Sequence, residues 1–142
     1  MTEITGSREI GAPVEKVWAV LVDWKNERKY WTNLRDIKVL KDDGSTIERE
    51  ATVGPRGFGQ KTKQKILLET PRVMKLTFEG EEISGGRTIS LTQLDKKATR
   101  VDVVWSLDMR GVPSFVEGIA KNQISKATED ALKKVAEAVK GG

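Results

Sequence analysis

The sequence predicts an α+β fold, a curved antiparallel sheet of seven strands wrapped around one long C-terminal helix. Three observations carry this expectation. Short runs of alternating apolar and polar residues recur between residues 3 and 109, the period-two pattern of strands with one buried face. The turns between the later runs are short, which favours antiparallel neighbours. The period then changes. Over residues 112–140, apolar or small residues recur at steps of three and four, at Val116, Ile119, Ala120, Gln123/Ile124, Ala127, Ala131, Val135 and Ala138/Val139. That spacing makes one stripe along a helix about 40 Å long, at roughly 1.5 Å per residue. Several stripe positions are alanine, so a sheet can approach closely. A small sheet around so long a rod is not easily filled everywhere, and function is expected in the unfilled part.

The elements follow in order. Residues 3–10 alternate as a first strand. Ala12-Pro13 opens a short helix, with Pro13 suited to a first-turn position and Val14, Val17, Trp18 and Leu21 on its apolar face. Trp18 is assigned to the core. A second short helix covers residues 24–30. Residues 34–41 form a strand with Ile37 and Val39 on one face, and Asp42-Asp43-Gly44-Ser45 is a turn. Residues 45–53 place Ile47, Arg49, Ala51 and Val53 together. Residues 58–69 alternate most plainly: Phe58, Gln60, Thr62, Gln64, Ile66 and Leu68 share one face, and Lys61, Lys63 and Lys65 the other. Residues 73–80 put Met74, Leu76 and Phe78 together. A Gly85-Gly86 turn precedes a strand over 87–94 with Ile89 and Leu91 on one face. Residues 99–109 carry Val101, Val103, Trp105, Leu107 and Met109, the most apolar strand face in the chain. Gly111 and Pro113 introduce the last helix.

Composition bounds the chemistry. The chain has 142 residues and neither repeats nor linker-like segments, so residues 1–142 read as one domain. Hydrophobic residues make up 37% and charged residues 32%, and no apolar run approaches the ~20 residues that span a bilayer. The N-terminus lacks a basic region followed by an apolar one, so a cytoplasmic location is expected. Cysteine and histidine are both absent. That excludes thiol nucleophiles, Ser-His-Asp and Cys-His catalysis, and thiolate- or imidazole-ligated metals. No metal, cofactor or catalytic residue is assigned. The net charge of +4 comes from interspersed residues of both signs, so it identifies no partner.

Ile10-Gly11-Ala12-Pro13-Val14-Glu15-Lys16-Val17-Trp18, an aromatic short helix from Trp24 to Trp31, the Thr99-Arg100-Val101-Asp102-Val103 segment and a Gly/Pro-led long helix occur in this order. The sequence thereby resembles the START-related helix-grip superfamily of polyketide cyclase/dehydrase and lipid-transfer proteins. The resemblance covers essentially the whole chain. It implies a sheet gripping the C-terminal helix, a cavity between them, and a hydrophobic or amphipathic small-molecule ligand.

The candidate binding residues are Trp31, Arg49, Gln60, Thr62, Gln64, Phe78, Ile89, Trp105, Leu107, Phe115 and Ile119. Gln60, Thr62 and Gln64 alternate with lysines, so one set faces inward. Burying three lysines costs far more than burying two amides and a hydroxyl, which places the Gln–Thr–Gln trio on the concave face as a polar wall that orients a ligand. Two readings stand for Arg49. Its guanidinium enters the cavity to meet an acidic group, or it snorkels out at the sheet edge. Arg8 poses the same choice, with a bulge as a further solution. The aromatic and aliphatic candidates supply apolar wall. The Lys61, Lys63 and Lys65 stripe has no interleaved aromatic residue, so no nucleic-acid partner is expected. Residues 53–59 contain three glycines without the lysine and helix of a phosphate loop, and the 54–59 segment is a candidate lid.

The leading functional expectation is a non-catalytic binding or transport protein for an apolar or amphipathic small molecule, with no stable membrane insertion. The alternatives are a cyclase/dehydrase-type enzyme, in which Arg49 or Tyr30 polarises a carbonyl, and an accessory protein-interaction module. Ligand identity and oligomeric state stay open at this level.

Overall fold

The computed structural model describes residues 2–54, 60–81, 83–109 and 111–141. The order of elements is β1 (Thr2–Ile10), α1 (Val14–Leu21), α2 (Glu27–Tyr30), β2 (Leu34–Asp42), β3 (Thr46–Val53), β4 (Gln60–Glu69), β5 (Val73–Glu79), β6 (Ser84–Asp95), β7 (Ala98–Asp108) and α3 (Ser114–Gly141). The seven strands form one antiparallel sheet in the order β1-β7-β6-β5-β4-β3-β2. Sequential pairing runs from β2 to β7, and β1 joins the far edge beside β7. The expected α+β architecture, a sheet packed against a long C-terminal helix with short helices after the first strand, is what forms.

Alternation sets which face is buried. In β4, Thr62, Gln64 and Ile66 are buried while Lys61, Lys63 and Lys65 are exposed. The lysine stripe is met across the strands by acids: Lys63 lies opposite Glu50 and Glu79, and Lys65 opposite Glu48. Opposite-charge neighbours of this kind stabilise a solvated sheet face. The buried face gathers Ile47, Ile66, Met74, Leu76, Ile89, Leu91, Val101, Val103 and Leu107 with the α1 residues Val14, Val17, Trp18 and Leu21.

Several boundaries differ from expectation. Gly85 and Gly86 are not a turn; they lie within β6, which starts at Ser84. Gly85 has φ +148°, and a Cβ there would drive into the backbone carbonyl oxygen of Ser106 on β7. A residue without Cβ lets the strand continue through this strained position. The second helix begins at Glu27 rather than Trp24. The ladder from β1 to β7 runs without a register shift, and Arg8 is exposed on it. In β2 the register shifts twice, and Asp36 has φ +49°. Val39 and Leu40 face solvent on this edge strand, so the expected apolar face of β2 is not buried at Val39.

The long helix is split by burial. Its C-terminal half buries Thr128, Ala131, Leu132, Val135, Ala136 and Val139. Gly6 on β1 permits close approach there: a Cβ on it would sit 2.8 Å from the Thr128 methyl. The N-terminal half leaves its outer residues exposed. The stripe that reads as continuous in sequence is therefore a packed half and a half that roofs a space.

Candidate ligand-binding cavity

Between the concave sheet face and the N-terminal half of α3 lies a cavity of about 310 Å³. This is at the small end of the 300–1,000 Å³ typical of small-molecule sites. Its roof is Val116, Ala120, Gln123, Ile124 and Ala127 of α3. Small alanine side chains at two roof positions leave the space open. The walls are mostly apolar, with Leu34, Val53, Leu76, Phe78, Ile83 and Leu107 among them.

Most expected site residues meet here. Trp31, Arg49, Gln60, Thr62, Gln64, Phe78, Trp105 and Leu107 all border the cavity. Three do not. Ile89 is fully buried between its cross-strand neighbours Met74 and Val103, so it packs the core beyond the cavity. Phe115 is 74% exposed and Ile119 55% exposed. Both stand on the outer side of α3, because Val116, Ala120 and Ile124 take the inward positions of those turns. Of the candidate lid, Gly54 borders the cavity, and residues 55–59 lie outside the described residues.

Arg49 turns inward at the cavity rather than out at the sheet edge, and the acid it meets belongs to the protein. It points inward and is only 2% exposed, and its partner is Glu27, 3% exposed. Nη1 and Nη2 donate to the two carboxylate oxygens at 2.6 and 2.9 Å. Nε donates to Oε1 of Gln64 at 2.8 Å. Trp24 covers the guanidinium, with its ring centroid 5.8 Å away. This is a buried ion pair between α2 and β3, and Nε, Nη1 and Nη2 of Arg49 each donate to a partner within the protein.

The Gln–Thr–Gln wall is likewise stitched to itself. Gln64 Nε2 donates to the Thr62 hydroxyl at 3.2 Å, and that hydroxyl donates to the Ala51 carbonyl at 2.8 Å. Register explains the network: Arg49 lies opposite Gln64, and Ala51 opposite Thr62. The trio faces the cavity, as the alternation requires, but much of its hydrogen-bonding capacity stabilises the sheet.

The cavity's second arginine is absent from the candidates that the sequence supplies. Arg87 on β6 is 4% exposed and borders the cavity. Its guanidinium carbon lies 4.5 Å from the ring centroid of Trp31 and 5.5 Å from that of Trp105. The two indoles meet edge-to-face, with centroids 6.0 Å apart and planes at 73°. Trp105 is held in turn by α3: its Nε1 donates to the Thr128 hydroxyl at 2.9 Å, which donates to the Ile124 carbonyl at 2.8 Å. Burial pushes Arg87 down to about 10; Glu27 opposes that fall and Arg49 adds to it. Arg87 shares a strand face with Ile89 and Leu91 by simple alternation, and that is the signal that could have found it. Glu27 and Trp31 stand four residues apart at the end of a short helix, the spacing that places both on one side.

A family model described as polyketide cyclase/dehydrase and lipid transport matches residues 1–140. No curated protein matches the chain. Among solved structures, the fold is similar to the protein TTHA0849 from Thermus thermophilus, at TM-score 0.83 and 16% identity, covering 99% of this chain and 98% of that one. It is similar to the ZhuI aromatase/cyclase from Streptomyces sp. R1128, at TM-score 0.82 and 13% identity, covering 98% and 93%. A START superfamily protein from Mycobacterium smegmatis aligns at TM-score 0.75 and 12% identity, covering 96% and 98%. At these identities the structural matches speak to the fold.

Proposed function

Because this chain belongs to the polyketide cyclase/dehydrase and lipid transport family, we propose that it binds one small, largely apolar molecule in the cavity beneath α3. The observation that carries this reading is the cavity itself: about 310 Å³ of space, walled mainly by apolar side chains, within a sheet and helix that are otherwise tightly packed. Interiors of folded domains normally leave few voids larger than a water molecule. An apolar space of this size is stabilised by an occupant that removes its walls from water, at about 25 cal/mol per Å² of apolar surface.

The reading is of binding or transport. Among the described residues, no aspartate or glutamate borders the cavity, and both oxygens of buried Glu27 are engaged by Arg49. A general base is therefore not placed against the space by any described residue. No described helix is long and apolar enough to cross a membrane.

The test is titration of the full chain with naphthalene-based and fatty-acyl probes, followed through Trp31 and Trp105 fluorescence. Saturable one-to-one binding that quenches or shifts the indole emission is expected. Failure of the whole panel, with the circular dichroism spectrum and thermal transition intact, rejects the proposal.

A further inference from the structure

We propose that Arg87 is the receptor for a carboxylate on the cavity's ligand, so that the bound molecule is a small apolar acid rather than a neutral lipid. The inference rests on the binding reading above and adds the chemistry of the head group.

Three observations converge. The first is an unused donor. Arg87 Nε is buried and has no hydrogen-bond partner. Its Nη2 has only the Met74 thioether, at 3.7 Å, and a thioether is a weak acceptor. Buried donors are ordinarily satisfied, and an exception calls for a missing partner.

The second is an unbalanced charge. Among the described residues, Glu27, Arg49 and Arg87 are the buried charged side chains. Glu27 is matched by Arg49 in a two-pronged pair. One positive charge is left, on Arg87, with no carboxylate bonded to it among the described residues. A buried cation without a counter-charge is costly.

The third is direction. The faces of Trp31 and Trp105 stabilise a cation laterally. An arginine also carries N–H donors that can offer a two-pronged fork to a carboxylate. Trp31, Trp105 and Arg87 all border the cavity. Gln64 and Thr62 are engaged with their own sheet and Arg49 is paired with Glu27, so Arg87 is the cavity's buried charged donor with no carboxylate partner among the described residues.

Size narrows the class. At about 310 Å³ the cavity is at the small end of small-molecule sites. A medium-chain alkanoate or a bicyclic aromatic acid fits that size; a two-chain phospholipid does not.

The test compares decanoate, 1-decanol and decyltrimethylammonium on the full chain at pH 8 by calorimetry. Decanoate is expected to bind at least ten-fold more tightly than decanol, and the ammonium not measurably. Arg87→Met is expected to bring decanoate and decanol within about three-fold of each other. Arg87→Lys keeps the charge but loses the fork, and is expected to retain a reduced preference for the acid. Equal binding of decanoate and decanol by the unmodified chain overturns this inference and leaves the binding proposal standing. A preference that survives Arg87→Met overturns the assignment to Arg87. Failure of all three amphiphiles while neutral aromatic probes bind overturns the ligand class, and failure of every probe overturns both proposals.

Discussion

Arg49 and Glu27 close on each other through two hydrogen bonds, Nη1 to Oε1 at 2.6 Å and Nη2 to Oε2 at 2.9 Å, with both side chains shut away from water. The pair joins β3 to α2, and α2 in turn presents Trp31 to the cavity. Its consequence for the site is that one of the two inward arginines is already neutralised, and the ligand meets the other one.

The pair's energetics follow from burial. Deleting one partner leaves an uncompensated charge, which typically costs about 3–5 kcal/mol. Glu27→Ala and Arg49→Ala should each lower stability by that amount in urea unfolding, with the midpoint moving and the slope unchanged. Glu27→Leu with Arg49→Met should fall well short of the sum of the two single losses, because neither orphan charge remains. Additive losses would show that the two side chains act independently, contrary to their geometry.

Arg87 behaves in the opposite way. Burial favours its neutral form and brings its pKa down to about 10. The folded chain thus holds this proton less tightly than the unfolded chain does. Below about pH 10 both states are protonated and the full burial cost is present. Above about pH 10 the unfolded state binds more protons, so the cost diminishes as pH rises. That burial cost is offset in part by the two indole contacts. Ligand-free Arg87→Met should therefore be at least as stable as the unmodified protein at pH 7, and any advantage should shrink above about pH 10. A loss of more than about 1 kcal/mol at pH 7 would mean that Arg87 serves the fold rather than a ligand.

The sheet is legible in the sequence because alternation is a local property. Lys61, Lys63 and Lys65 cannot share the buried face with Ile66, and their outward placement settles Gln60, Thr62 and Gln64 at once. Leu107 and Trp105 follow from the same rule. What alternation does not reveal is pairing between elements. Glu27 and Arg49 are 22 residues apart in sequence and meet only because α2 folds back over β3. Arg87 escapes notice for a different reason. Gly85-Gly86 has the composition of a turn, so alternation alone starts the strand at Arg87, and an inward position well inside β6 passes for an end. Phe115 and Ile119 show the limit of helical periodicity. Ile119 belongs to the stripe of α3 and Phe115 lies one turn before it, yet only the narrower line through Val116, Ala120 and Ile124 borders the cavity.

The alanines of α3 offer a way to fill the cavity without touching a polar group. Ala127 borders the space, so a larger side chain there enters empty volume rather than packed core. Overpacking a filled core costs about 1–3 kcal/mol; Ala127→Phe should cost less than that, and the melting temperature should hold or rise. Ligand affinity should fall by at least ten-fold. Retained affinity in a folded Ala127→Phe protein would place the ligand somewhere other than beneath α3.

Gly85 connects the fold to the site. At φ +148° any side chain is strained, and the atoms a Cβ would strike are backbone: the Ser106 carbonyl oxygen, and the Leu107 Cα at 3.0 Å. Backbone cannot swing aside as a flexible side chain can, so Gly85→Ala must either open the β6–β7 ladder or distort its own φ, at a cost of about 1–3 kcal/mol or more. Two residues on, Arg87 lies opposite Trp105 in the same ladder. Displacing β6 therefore shifts the guanidinium against the indole that covers it, and decanoate affinity should fall along with stability. Gly86 has no positive φ, and its nearest obstacle is the Leu76 carbonyl at 3.0 Å. Gly111 has nothing within 4 Å. The expected order of destabilisation is Gly85→Ala, then Gly86→Ala, then Gly111→Ala near zero, measured by thermal unfolding under one buffer. If Gly85→Ala unfolds together with Gly111→Ala, the close approach of β6 to β7 does not constrain this position, and the link from the glycine to the arginine is lost with it.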